Sequence, residues 1–138
     1  MQDSPLVSVV IRSKNAAPFI AKALTSVKDQ AYTPIEIIVV DNFSTDGTAD
    51  IARRYTDRVF SKGPERAAQT NFGVKQAKGE LMLWMNADFV LEPTCIEEAV
   101  GLIRSGFDMV EVNTVPDKSL GFWARIKAVE YSCYNQKR

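Results

Sequence analysis

The sequence predicts an α/β fold, a mostly parallel sheet with helices on both faces. Three observations carry this. Short β-branched apolar runs recur along the chain, each is followed by a stretch of helical spacing, and the links between them are short. A strand that returns in parallel to its own sheet needs a crossover, and a helix supplies one. Strands covered on both faces also read as continuous apolar runs, without the alternation of a half-exposed sheet.

Leu6 to Ile11 is the first such run. After Pro18, apolar residues at Ile20, Ala23, Leu24 and Val27 make one helical stripe. Ile35 to Val40 is the second strand, stopped by the turn-forming cluster Asp41 to Gly47. A helix through Tyr55 follows, with Ser44 or Thr45 as its N-cap. Asp57 to Phe60 is a short third strand closed by Gly63-Pro64, and Pro64 suits the first turn of a helix running to Ala77. Glu80 to Met85 is the fourth strand, Thr94 to Arg104 a further helix, and Asp108 to Asn113 a fifth strand. The segment from Ser119 to Tyr134 reads as helix with a loose apolar pattern.

With 138 residues and no composition break or internal repeat, the chain is expected to form a single domain, residues 1–138. Its sheet core covers residues 1–113 and a helical tail 114–138. Seventeen basic residues balance seventeen acidic ones, which argues against nucleic acid or an anionic membrane as partner. The two cysteines, Cys95 and Cys133, have no metal-ligand spacing and read as free thiols in a reducing, cytoplasmic setting. Histidine is absent, which excludes a histidine base or ligand within this sequence. No apolar run reaches the length of a membrane span, and the N-terminus is no signal peptide.

Open α/β sheets bind ligands beyond the carboxyl ends of their strands. The residues there are Arg12, Ser13, Lys14 and Asn15 after the first strand, Asp41 and Asn42 after the second, and Asn86 and Asp88 after the fourth. Phosphate needs donors, a base needs a hydrogen-bonding edge, and Mg2+ or Mn2+ needs hard oxygen ligands. Capping and turn formation compete as roles: they are favoured for Ser44 to Gly47 and stay open for Asp41. Asp88 is badly placed to cap the next helix, because Phe89, Val90 and Leu91 intervene before Pro93. A Gly-rich dinucleotide fingerprint, a phosphate-cradling Gly-Lys-Ser/Thr loop and a serine elbow are all missing.

Four segments, in order, resemble the family 2 glycosyltransferases of the GT-A fold. They are Val7 to Asn15, Glu36 to Thr48, Arg66 to Gly73, and Ala77 to Glu80 with Asn86-Ala87-Asp88 and Pro93. The resemblance covers residues 6–113 and implies a nucleoside-diphosphate sugar as donor, with inversion at the transferred sugar. Asp41 or Asn42 would bond the nucleobase, and Arg12 to Asn15 would line the same pocket. Arg66 would reach the nucleotide, although a solvated pair with Glu65 is an equal reading. Ala67 and Ala68 would pack against the sheet, and Asp88 would bind the divalent metal that bridges the phosphates.

Three departures from the family pattern matter. Asn86 stands for the first aspartate of the metal motif, which implies weaker metal affinity. Asn42 replaces a frequent second aspartate, and Lys14 stands where some members place an aromatic ring over the base. The family's acceptor site and catalytic carboxylate lie beyond the fifth strand, and Glu130, the only acid of the tail, sits in no motif. No general base is therefore assigned, and the fold is expected to be incomplete at its C-terminus. Two other readings compete. One is a truncated, non-catalytic nucleotide-sugar-binding or assembly module, whose Phe122, Trp123, Tyr131 and Tyr134 would cover a missing half or pair with a second copy. The other is a nucleotidyltransferase, disfavoured because it needs a Gly-rich loop after the first strand.

Overall fold

The computed structural model describes residues 4–112. The predicted tail, Cys133 and the last residue of the predicted fifth strand lie outside them. Strands β1 (Val7–Ser13), β2 (Ile35–Asp41), β3 (Val59–Ser61) and β4 (Leu81–Asn86) alternate with helices α1 (Ile20–Lys28), α2 (Thr48–Ala52), α3 (Arg66–Gln76) and α4 (Cys95–Arg104). All the pairings are parallel, in the order β3-β2-β1-β4. The chain thus steps outward from β1 to β3 and then returns to the far side of β1. Strand order reverses between β1 and β4, the place where open α/β sheets form a ligand crevice beyond their carboxyl ends.

The sheet is buried on both faces because successive side chains point opposite ways. Val10, Ile38 and Val40 face α3 and are fully buried with Phe60, Phe72 and Ala77 packed against them. Val9, Ile11 and Val39 are equally buried on the other face. There α1 contributes Ile20, Ala23, Leu24 and Val27. Each fully buried valine, leucine or isoleucine among them adds about 1.5–3 kcal/mol relative to exposure. α3 comes unusually close, since a Cβ on Gly73 would sit 2.3 Å from Val10 Cγ1 and 3.2 Å from Val40 Cγ2. The fully buried residues of α3 are Gln69 and Gly73, and Phe72 packs beside them. The expected pair is not among them: Ala67 is exposed and Ala68 half-buried.

At the amino ends of the strands, Glu36 gathers a polar knot. Its carboxylate accepts from Ser8 Oγ (2.5 Å), from Lys78 N–H (2.6 Å) and from the Arg58 guanidinium. Arg58 donates on to Gln76 O, and Gly79 N–H donates to Ser8 Oγ at 2.8 Å. Burial alone would raise the Glu36 pKa. The Ser8 bond, the Lys78 N–H and the Arg58 charge outweigh that and hold it below the ordinary glutamate value.

Further sequence expectations fail. Asp108 to Val112 join no strand ladder, and Met109 is 83% exposed. An apolar run becomes a strand only where a neighbour supplies the ladder, and among the described residues none pairs here. α2 is also shorter than its pattern and starts after Gly47, which has φ +87°. Neither Ser44 nor Thr45 caps it; Asp46 Oδ1 accepts from Thr48 N–H at 3.1 Å instead. Among the described residues, those up to Glu98 form one compact unit, and Ala99 to Val112 belong to another. No helix among the described residues is long and apolar enough to cross a membrane.

Candidate functional site at the carboxyl edge of the sheet

The nine predicted site residues fall on the carboxyl edge of the sheet and the adjoining N-terminus of α3. β1 and β2 end in register, so Ser13 lies opposite Asp41. Ser13 Oγ donates to Asp41 Oδ1 at 2.7 Å. Ser44 donates its hydroxyl to the same oxygen at 2.6 Å and its N–H to Oδ2 at 2.8 Å. The Asp41 carboxylate is 2% exposed and serves as the anchor of its loop. Only part of its accepting capacity is left for a ligand.

The loops after β1 and β2 are stitched together residue by residue. Lys14 Nζ donates to Asn42 O at 2.7 Å, Asn15 N–H to Ser44 Oγ at 2.8 Å, and Thr45 N–H to Asn15 Oδ1 at 2.9 Å. Ala16 N–H donates to Thr48 Oγ1 and Ala17 N–H to Asp46 Oδ2. Thr48's hydroxyl first and the Ala17 N–H next hold the Asp46 carboxyl below its ordinary value. Ser44 to Thr48 thus do more than form a turn; they fix the neighbouring loop. Asn42 Nδ2 donates to Pro64 O at 2.8 Å, which ties the approach to α3 into the same rim. Phe43 rides on this rim 63% exposed, at φ +48°, a left-handed conformation that bulky residues avoid.

Sequence reasoning missed Gln69. It is 2% exposed, and its Nε2 donates to Ser13 O (3.1 Å) and Val40 O (2.8 Å), bridging the ends of β1 and β2 from beneath. A polar residue on the buried stripe of an otherwise polar helix was the available signal.

β1 and β4 bring Arg12 and Asn86 side by side in register. Arg12 Nη2 donates to Asn86 Oδ1 at 2.6 Å and Nη1 to Thr70 Oγ1 at 3.3 Å. The guanidinium carbon lies 4.7 Å from the centroid of the Trp84 ring. Arg66, the first residue of α3, is exposed, and its side chain makes no hydrogen bond or ion pair among the described residues. The predicted pair with Glu65 is not formed. Asp88 is exposed in the turn after β4, and it too has no partner among the described residues.

The carboxyl edge offers few donors that would suit a divalent cation. No group of three or more carboxylate, thiol or imidazole side chains able to hold a metal exists among the described residues. The amide oxygen of Asn86 already faces a guanidinium. Among the nine candidate residues only Asp88 has an unengaged carboxylate, which fits a cation that takes one protein carboxylate and completes its shell with substrate phosphates. A separate cavity of about 290 Å³, lined by residues including Val27, Tyr32, Ile35 and Tyr55, contains none of these residues.

The parallel sheet, its reversal between β1 and β4 and the polar carboxyl edge define a Rossmann-like protein of the GT-A class. The chain belongs to glycosyl transferase family 2, whose model matches residues 8–136. It is similar to an uncharacterized glycosyltransferase of Rickettsia typhi, 35% identical over 104 residues, which are 73% of this chain and 33% of that protein. The chain therefore spans about a third of that curated relative. S. aureus TarS 1-349, solved in complex with UDP, superposes with a TM-score of 0.64 at 24% identity, covering 81% of this chain and 39% of that one. The mannosyltransferase PcManGT from Pyrobaculum calidifontis, in complex with GDP-Man and Mn2+, superposes with a TM-score of 0.59 at 29% identity. That match covers 64% of this chain and 29% of the mannosyltransferase.

Proposed function

We propose that the carboxyl edge of the sheet binds a nucleoside-diphosphate sugar, as the donor-binding part of a metal-assisted, inverting glycosyltransferase that passes the sugar to an acceptor. One observation carries this reading: Arg12 and Asn86 converge at the β1–β4 crevice, where open α/β sheets bind ligands, within a chain of glycosyl transferase family 2. UDP in TarS and GDP-Man with Mn2+ in PcManGT support the ligand class.

In this reading the stitched loops from Lys14 and Asn42 form the wall of the base pocket. Asp41 and Asn42 offer its polar edge, with Ser13, Asn15 and the Lys14 stem beside them. Arg66 reaches the nucleotide, and Asp88 holds Mg2+ or Mn2+. When bound, the cation neutralises charge on the departing nucleoside diphosphate. Free Cys95 is consistent with a cytoplasmic setting.

A second reading, a nucleotide-sugar-binding module without transfer, is favoured by the amide at Asn86. Thermal unfolding of the full chain with a panel of nucleoside diphosphates, with and without Mn2+, tests donor binding. Ligand at 100 times Kd adds about 2.7 kcal/mol. Sugar release from the bound donor to water or an added acceptor then separates transferase from module. The absence of stabilisation by any nucleotide would sink both readings.

A further inference from the structure

Arg12 is an unusual residue to find at the β1–β4 crevice. It is half-buried, its Nε is buried and has no hydrogen-bond partner among the described residues, and its two bonded partners are neutral. Arg66 belongs to the same patch. Thr70, which accepts from Arg12 Nη1, lies one helical turn beyond Arg66 and donates to Arg66 O at 3.1 Å. The ion pairs formed among the described residues, Arg53–Asp50 and Arg58–Glu36, leave both of these guanidinium groups without a carboxylate.

Burial first, and the positive charge of Arg66 second, disfavour the charged form of Arg12. An arginine stays protonated regardless, so the cost falls on the ligand-free site. An anion placed between the two groups removes that cost. Trp84 gives the guanidinium a flat seat and Asn86 fixes its plane, so its orientation is set before a ligand arrives. Asn86 in turn spends its oxygen on Arg12, where a carboxylate would have been a metal ligand.

We infer that Arg12 and Arg66 form a guanidinium pocket for the diphosphate of the donor, and that Arg12, oriented by Asn86 and Trp84, supplies positive charge that lets this site hold a nucleoside diphosphate without a divalent cation. The inference rests on the donor-site reading and goes beyond it in naming the group that meets the phosphates and the reduced need for metal. Guanidinium groups suit this task because they meet phosphate oxygens through paired donors.

The test is calorimetric titration of the full 138-residue chain with UDP and GDP, and with uridine and guanosine, in EDTA and in Mn2+. Diphosphate affinity in EDTA should stay within about tenfold of the value in Mn2+. Arg12→Gln and Arg66→Gln should each weaken diphosphate binding in EDTA by about tenfold or more, the loss expected for one charge-assisted phosphate contact, with nucleoside binding changed by less than about twofold. Arg66 is exposed, so its variant keeps the test open should Arg12→Gln fail to fold. Diphosphate binding that vanishes in EDTA yet is unchanged by either substitution in Mn2+ overturns the inference and leaves the donor site standing. Equal losses for nucleoside and diphosphate also overturn it, because Arg12 would then only shape the pocket. If no diphosphate binds under either condition, the donor site and the pocket fall together.

Discussion

The hydroxyl of Ser13 donates to the carboxylate of Asp41 across 2.7 Å, between the last residues of two neighbouring strands that are 3% and 2% exposed. This bond closes the floor of the site, and Ser44 adds two more donors to the same carboxylate. Asp41→Ala leaves those donors in a site that water barely reaches. We predict a loss of about 3 kcal/mol, read by urea unfolding. Asp41→Asn, which keeps the shape and one acceptor, should lose less. Equal stability of Asp41→Ala and the parent would show that Asp41 does not anchor the loop.

Gly73 allows α3 to lie against Val10 and Val40. The methyl group of Gly73→Ala meets Val10 Cγ1 at 2.3 Å, so a side chain or the helix must shift. Despite alanine's better helix propensity, the substitution should destabilise the protein by about 1–3 kcal/mol. Because α3 carries Arg66 and Gln69, the same change should weaken nucleotide binding. A melting temperature at or above the parent's would contradict this packing.

Phe43 presents the opposite case. Its φ of +48° is costly for an aromatic residue, and its ring is 63% exposed. Phe43→Gly should therefore gain roughly 0.5–1 kcal/mol of relief, offset in part by the entropy of glycine in the unfolded chain. Unfolding midpoints decide the sign, and a loss above about 1 kcal/mol would mean the ring packs more than its exposure implies.

Glu36 links stability to pH. Its folded pKa lies below the ordinary glutamate value, so the charged form is favoured by folding. Its contribution is complete above the ordinary value and is lost as pH falls through the folded one. Stability should thus decline on acidification below about pH 4.5, and Glu36→Gln should flatten part of that decline. Chemical unfolding from pH 7 down to about pH 3 in both proteins checks this, and parallel curves would refute it.

Asp88 should behave as a ligand residue and not as a structural one. It is exposed and has no partner among the described residues, so Asp88→Ala should change stability by less than about 0.5 kcal/mol. The gain in thermal stability that Mn2+ adds to a bound nucleoside diphosphate should disappear in the variant. Retention of that gain would remove Asp88 from the metal site.

What could be read along the chain are the parts of the fold that depend on neighbours a few residues apart. The runs around Val9, Ile38 and Leu83 became the strands they predict, α1 buries the stripe Ile20, Ala23, Leu24 and Val27, and the candidate residues fall where those strands end. Apolar periodicity is local, and it survives folding wherever a partner exists to cover it. Tertiary structure decided what depends on register. Asp108 to Val112 carry a strand pattern with no ladder beside them among the described residues, and α3 turns Gln69 and Gly73 inward where Ala67 and Ala68 were expected. The bond from Arg12 to Asn86 joins residues 74 apart, and it exists because parallel pairing of β1 with β4 sets those two positions abreast. No spacing along the chain encodes that proximity; the crossover that returns β4 to the open edge of β1 creates it.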